Sequence, residues 1–412
     1  MTAPLSSWGG SLNEPATNLS QYIKLLETEY YEKPRDVKGL LTEVVRRRVK
    51  RGSFLWHAMR IFYRIFIRVY RFFKSFYLEW RWYPDEERKW LPAVLDSVGN
   101  LLTKESFDAI ISSSSPVSAH IAASQISVDF SIPWIADLRD LWTQNHNYSH
   151  SLLRRWVERK LEKRTLSKAA AHVTVSDEFV AQLQTLHPLT PGHSITNGFD
   201  PIAYQSPPKL VDRFTITYTG QIYPAHHPSI LFDAVGQLLT ERVIDPSRFV
   251  IRFFGPKSPP LQHYQNLPNL RSIIELHGVL PFESIAPRQM ESHLLLLLNW
   301  ANPRGNGVYS SKIFEYLGAK RPIIAVGGTG NDVVNTLLKK TKSGSYCSSI
   351  ADTKASITAF YREYEKTRHV VYHGIDGEIN LFRYPELARQ YASLLDDVRS
   401  DAMRLQLPHG CT

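Results

Sequence analysis

The sequence predicts an α/β protein of two consecutive domains, each built on a parallel sheet. Three observations predict it. A chain of 412 residues is too long for one ordinary core, so two domains is the natural expectation. Short apolar runs with strand character alternate with helix-patterned segments in two separate series, and βαβα order makes a parallel sheet. Between the series lies residues 201–213 (PIAYQSPPKLVDR), with three prolines and no apolar period, which reads as an interdomain linker.

The first forty residues read as a loop and then a short helix around Leu19–Glu29. Residues 54–77 (FLWHAMRIFYRIFIRVYRFFKSFY) carry cations at 60, 64, 68, 71 and 74, intervals of four and three that place them on one helical face. After Pro84 the first series begins. Helices near Trp90–Leu102, Ala119–Ser127 and Leu152–Ser167, and one from Asp177, alternate with strands Phe107–Ser112, Pro133–Ala136, His172–Val175 and His193–Thr196. The second series has strands Phe214–Thr219, Phe249–Phe254, Ser272–Leu276, His293–Leu298 and Pro322–Val326. Its helices lie near Ile230–Leu239, Pro281–Ser292 and Lys312–Leu317, and Pro385–Val398 is a last amphipathic helix. The expected domains are 1–205, with a basic amphipathic insert at 44–78, then 206–382, then a C-terminal helix 383–412 that crosses back to the first domain.

Hydrophobic content of 43% and charged content of 21% exclude a disordered chain. Cys347 and Cys411 form neither a disulfide framework nor a metal-ligand spacing, so a reducing compartment is expected. Residues 1–20 carry no secretory pattern, and the longest pure apolar run, Leu294 to Leu298, suits a buried strand and not a membrane span. The net charge of +10 is concentrated. Between Glu43 and Glu79 there is no acid, and this stretch holds Arg46, Arg47, Arg48, Lys50, Arg51, Arg60, Arg64, Arg68, Arg71 and Lys74. A basic helix with interleaved aromatic residues reads first as an element of an anionic membrane surface, held by Arg60, Arg64, Arg68 and Arg71. Packing of its apolar face on the first domain, with solvated arginines, is the alternative. Nucleic-acid binding is not expected, because no binding motif accompanies the charge.

Residues 312–326 read KIFEYLGAKRPIIAV. In the same order along the chain stand IISSSSPVSAHI (110–121), PWIADLRDLW (133–142), ITNGFD (195–200), TYTGQI (217–222) and HGV (277–279). From about Pro84 onward this set resembles bacterial family 4 glycosyltransferases with the GT-B fold, in the branch whose donor segment runs Lys-hydrophobic-Phe-Glu-Tyr-Leu, a turn, then Arg-Pro-Ile. The resemblance implies two Rossmann-like domains with parallel sheets facing across a cleft. It implies a sugar transfer from a nucleotide-sugar to a hydroxyl with retention of configuration, in bacterial surface polysaccharide or lipopolysaccharide synthesis. Members open with an apolar strand and a Gly-rich loop. Here MTAPLSSWGGS keeps Gly9 and Gly10 but has no strand before them, so the first strand is expected to be missing.

On this resemblance Glu315 accepts hydrogen bonds from the ribose hydroxyls of the donor. By position alone it also fits a helix N-terminal carboxylate that complements the dipole. The loop from Arg304 through Ser310 and Ser311 to Lys312 is rich in small residues and runs into that helix, so it is expected to hold the diphosphate with Arg304 or Lys312 as counter-charge. Gly220 and Gln221 belong to the same donor site, and the backbone of His277, Gly278 and Val279 faces the nucleobase. Two departures from the family pattern stand out. The second glutamate, eight residues before the first in many members, is Gly307 here, and Gly220 is followed by Gln221 where a basic residue is usual.

In an open parallel sheet the strand C-termini face the ligand crevice. Asp137, Arg139 and Asp140 end one strand of the first series and are the candidates to position the acceptor or take its proton. A self-paired structural cluster is the equal alternative. Ser115, Ser118 and His120 end the previous strand and are expected to line an acceptor cleft. No Asp-x-Asp follows an apolar strand, so no metal and no other cofactor is expected. The partners expected are a nucleotide-sugar donor, a saccharide or lipid-linked acceptor and an anionic bilayer. The location expected is the cytoplasmic face of the cell membrane. A non-catalytic, sugar-nucleotide-binding relative is the alternative, favoured by Gly307 and Gln221.

Overall fold

The computed structural model describes residues 74–223, 226, 228–300 and 305–406. The expected helix at Leu19–Glu29 and the cations Arg60, Arg64, Arg68, Arg71 and Arg304 lie outside the described residues. Residues 74–81 are helical. Then follow α1 (Leu91–Leu102), β1 (Ile110–Ser114), α2 (Ser118–Phe130), β2 (Trp134–Leu138), α3 (Leu152–Leu166), β3 (Ala171–Thr174), α4 (Asp177–Leu186) and β4 (Gly192–Ser194). These strands form a four-stranded sheet in sequence order, β1-β2-β3-β4. Side-chain caps start α3 and α4: Ser151 accepts from the Arg154 amide, and Ser176 from the Phe179 amide.

The second sheet holds β5 (Phe214–Thr219), β6 (Phe249–Phe254), β7 (Ile274–Gly278), β8 (Leu294–Asn299), β9 (Ile323–Gly327) and β10 (Gly344–Cys347), in the order β10-β9-β8-β5-β6-β7. All its pairings are parallel. Between the strands lie α5 (Ser229–Thr240), α6 (Pro259–Gln265), α7 (Ile285–Met290), α8 (Ser311–Ala319) and α9 (Val333–Thr341). The chain closes with α10 (Ile350–Thr367), α11 (Asp376–Ile379) and α12 (Tyr384–Gln406). By internal contacts the chain forms two compact units. One holds Asp137 and what precedes it together with Tyr148–Ala169, and the other holds Leu138–Asn147 together with everything from Ala170.

The leucine run is the physical centre of the second sheet. Leu294, Leu296 and Leu298 enter one core with Phe214, Ile216 and Val326, while Leu295 and Leu297 enter another with Ile313, Phe314 and Leu317. A strand covered on both faces needs an apolar residue at every position, so it shows no alternation in sequence. The stretch 201–213 does more than link. Tyr204 and Phe199 pack against the second of these cores, and a Cβ on Gly318 would meet both rings within 3 Å. Helices α6, α9, α10 and α11 and strand β10 are additions to the sequence expectation. α6, α11 and β10 are too short to carry a period. α10 is not, since Ile357, Tyr361 and Tyr364 recur at helical spacing and the sequence displays that pattern. Among the described residues no helix is long and apolar enough to cross a membrane.

His293 sits just before β8, 1% exposed, stacked on Phe214, with its Nδ1 accepting from the Thr215 amide at 3.2 Å. Burial, with Arg321 adding to it, pushes this imidazole down from 6.5 to about 4. The unfolded chain therefore takes up a proton on acidification before the folded one does. Stability is full above the unfolded value and falls as pH drops from 6.5 towards about 4. The linked loss is roughly 2–3 kcal/mol across this window. Denaturant titrations at neutral and mildly acidic pH are expected to show the decline, and His293→Gln is expected to flatten it even if it lowers stability at every pH.

Candidate functional site

The order β10-β9-β8-β5-β6-β7 reverses at β5 and β8. The chain leaves β5 towards β6 on one side, and β8 towards β9 on the other. The helices after the two strands must diverge there, and the C-terminal ends of β5 and β8 open a crevice. Both ends lie in the second unit, and the chemistry of the unit gathers around them.

At the end of β5, Thr219 and Gly220 meet α8. Gln289, on α7 and 0% exposed, donates through Nε2 to Thr219 Oγ1 and to Glu315 Oε2, each at 3.0 Å, and its Oε1 accepts from the Tyr204 hydroxyl at 2.8 Å. The Tyr316 hydroxyl takes the Thr219 amide at 3.2 Å. Glu315 is thereby held in the second turn of α8, which starts at Ser311. The helix dipole acts within the first turn, so dipole complementation is not its setting. Burial pushes its carboxyl up from the ordinary range, against the opposing pull of Gln289 and Lys312.

Lys312 lies across the Gly220 turn. Gly220 has φ +109°, and a Cβ there would stand 2.5 Å from Lys312 Cε and 3.0 Å from its Nζ. Glycine is required twice at this position, for the left-handed backbone and for the lysine above it. The ammonium also sits 5.6 Å from the Tyr218 ring centroid. Burial pushes the Lys312 ammonium down, with Glu315 pulling the other way. A cation and an anion are thus both partly desolvated at one strand end. Ser310 is the N-cap of α8 but makes no side-chain capping bond, and Ser311 opens the helix exposed. The first-turn amides therefore have no side-chain acceptor.

The neighbouring strand ends continue the edge. The Gly220 amide donates to Phe254 O at 2.7 Å, and the Gly255 amide to Gly278 O at 2.8 Å. His277 stacks on Phe254 with centroids 4.6 Å apart and meets Glu275 at 3.1 Å. Val279 is 72% exposed beside it. Gln221 is exposed, and its carbonyl accepts from the Tyr218 hydroxyl at 2.7 Å. The structure thus brings Glu315, Lys312, Ser310, Ser311, Gly220, Gln221, His277, Gly278 and Val279 to one sheet edge.

The residues singled out in the first series are placed differently. Arg139 donates to Ile195 O, Thr196 O and Asn197 Oδ1 and to the Tyr391 hydroxyl of α12, so its guanidinium ties that turn to the C-terminal helix. Asp140 is exposed. In the first unit Asp137 is buried and accepts from Ser113 Oγ at 2.9 Å. Ser115 is exposed, but Ser118 and His120 are fully buried. Asp85 binds both the amide and the hydroxyl of Ser118, and His120 shares the Ser112 hydroxyl with Trp134. Those two hold the interior of the first unit and line no open surface.

Sequence reasoning missed Gln289 and Tyr204, which have no motif of their own, and Tyr316, which stands inside the KIFEYL segment but was given no role. It also missed His146, whose ring meets Trp300 edge-on at 5.4 Å, and whose Nδ1 is buried with no hydrogen-bond partner. Past β9, Gly327, Gly328 and Gly330 all have positive φ, and Asn299 and the Tyr346 hydroxyl meet Asp332 at the start of α9. The GGTG run in the sequence was the available signal. Among the described residues no three His, Cys, Asp or Glu side chains converge as metal ligands would.

Gly307 has a structural reason. Its carbonyl accepts from Ser176 Oγ at 2.7 Å, and a Cβ would stand 2.5 Å from Phe179 Cδ1. A side chain at this position collides with a buried ring. Gly307→Ala is expected to lower stability by about 1–3 kcal/mol through overpacking. Phe179→Leu in the same chain is expected to recover part of that loss, read as melting temperatures of the single and double variants.

Residues 31–196 match the family model described as glycosyl transferase 4-like domain. Among solved structures, the sucrose-phosphate synthase (tll1590) of Thermosynechococcus elongatus is similar at 14% identity and TM-score 0.58, over 76% of this chain and 79% of that one. The alpha,alpha-trehalose 6-phosphate synthase of Burkholderia multivorans is similar at 9% identity and TM-score 0.52, over 78% and 77%. TarM is similar at 11% identity and TM-score 0.50, over 74% of this chain and 58% of that one. No curated protein matches the chain significantly in sequence.

Proposed function

We propose that this chain, a glycosyl transferase 4-like protein with the GT-B fold, is a retaining enzyme that moves a sugar from a nucleotide-sugar to a hydroxyl of a saccharide or lipid-linked acceptor. Bacterial surface polysaccharide synthesis is the pathway that fits the resemblance of its motifs. One observation carries the reading: Gln289 holds Glu315 beside Thr219 while Lys312 lies over Gly220, all at the strand-order reversal.

In this reading Glu315 accepts from the two ribose hydroxyls, and Gln289 keeps its carboxylate aimed. Lys312 and the uncapped amides of α8 neutralise the diphosphate, with Arg304 from the loop before them. The backbone at His277–Gly278 borders the base, with Val279 beside it. As the glycosidic bond breaks, charge builds on the departing diphosphate while the sugar becomes oxocarbenium-like. A fixed cation in a partly dry site stabilises that charge without reorganising. Asp140, which is exposed, is the carboxylate we assign to the acceptor proton in place of the buried Asp137, and this reading needs no metal. The membrane face at Arg60, Arg64, Arg68 and Arg71 would bring the enzyme to a lipid-linked acceptor at the inner face of the cell membrane.

The packing of Gly307 against Phe179 favours a second reading, a sugar-nucleotide-binding protein without turnover, because a glutamate has no room at that position. Release of labelled sugar from the donor, by transfer or hydrolysis, decides between them.

Glu315→Ala is expected to weaken binding of the cognate nucleotide-sugar by roughly 1.5–3 kcal/mol, as loss of a charged hydrogen-bond partner does. Calorimetry with an unchanged melting temperature checks it, and unaltered affinity refutes the ribose assignment. Turnover is expected to survive EDTA. Complete loss in chelator, restored by Mg²⁺ or Mn²⁺, would overturn the metal-free reading.

A further inference from the structure

We infer that the outward face of α3 is a docking surface for an anionic lipid bilayer. The helix reads in sequence as merely highly charged, LLRRWVERKLEKRTL, with both signs present. The fold sorts those signs. Glu158 and Glu162 are 2% and 0% exposed, and Arg154 is 3% exposed and spent on Glu158 at 2.7 Å. Arg159, Lys160, Lys163, Arg164 and Lys168 remain outside. From Ser151 to Ala170 no acidic side chain reaches the surface.

The first turn of the same helix is apolar and open. Leu152 is 81% exposed, Leu153 54% and Trp156 57%. Lys160 Nζ lies 3.5 Å from the Trp156 ring centroid. This turn is fastened to the helical residues 74–81, because the Ser151 amide donates to Glu79 Oε1 at 2.6 Å and Arg154 donates to the Glu79 carbonyl. That neighbour shows Phe76, Tyr77 and Leu78, each more than 40% exposed. Large apolar side chains clustered at one end of a surface, with only cations beyond them, match an interface that is apolar below and anionic above. Leucine and tryptophan enter the acyl boundary, and lysine and arginine meet the headgroup phosphates. A nucleic-acid backbone would use the cations and leave the leucines in water.

The inference extends the membrane part of the proposed function to described residues, and it stands without the donor site. The full chain is floated with phosphatidylglycerol-rich vesicles and with pure phosphatidylcholine vesicles. One variant joins Arg159→Gln, Lys160→Gln, Lys163→Gln and Arg164→Gln. Another joins Leu152→Ser, Leu153→Ser and Trp156→Ser. Each is made in the natural chain and in one with Arg60, Arg64, Arg68 and Arg71 changed to Gln, so the two surfaces fail separately. Every altered side chain of α3 is exposed, so the α3 substitutions are expected to leave the melting temperature of either background unchanged. The cation variant is expected to lower partition into the anionic vesicles about ten-fold or more, in a salt-dependent way. The apolar variant is expected to lower it at high salt as well. Partition equal to the parent chain in both backgrounds overturns the inference. So does binding to duplex DNA that the cation variant abolishes while vesicle binding stays unchanged.

Discussion

The hydrogen bonds of Gln289 are the interaction on which the site depends. A fully buried amide has two donors and an acceptor to satisfy, and here they reach α8, β5 and the segment before β5 at once. Glu315 is costly to hold in a partly dry place, and its raised carboxyl registers that cost. Gln289 makes the cost bearable by giving one carboxylate oxygen a donor that cannot move away.

Absent side chains shape the same edge. Gly220 leaves the volume that Lys312 fills, and Gly307 leaves the volume that Phe179 fills. The two glycines act in opposite directions on function. The first admits a cation to the end of β5. The second bars a side chain from the loop that precedes α8, where relatives by resemblance carry an acid. Charge at this edge therefore comes from α8 itself, through Lys312 and Glu315, and from nothing described in the loop before it.

The first unit shows how little a charge count reveals about a surface. Helix α3 carries acids as well as bases, yet both of its acids are buried with Arg154 while Arg159, Lys160, Lys163 and Arg164 are displayed. Ser118 and His120 show the converse: their polarity is spent on Asp85 and Ser112, and neither reaches the surface. Arg139 is likewise occupied, tying the turn after β4 to α12 through Tyr391.

By itself the sequence determined the α/β class and the two series of strands, because these rest on local pattern. Five leucines in a row demand a strand buried on both faces, and β5 and β6 are read to the residue for the same reason. Glu315, Lys312 and Gly220 were legible because the segments that hold them, KIFEYL and TYTGQI, resemble the corresponding segments of family 4 glycosyltransferases. Tertiary structure alone decided what those residues touch. Gln289 is 70 residues from Thr219 and 26 from Glu315, and no local pattern marks a hydrogen bond across such distances. It alone also decided which charges of α3 face outward, since burial is set by neighbours that approach from α2 and from residues 74–84, far along the chain.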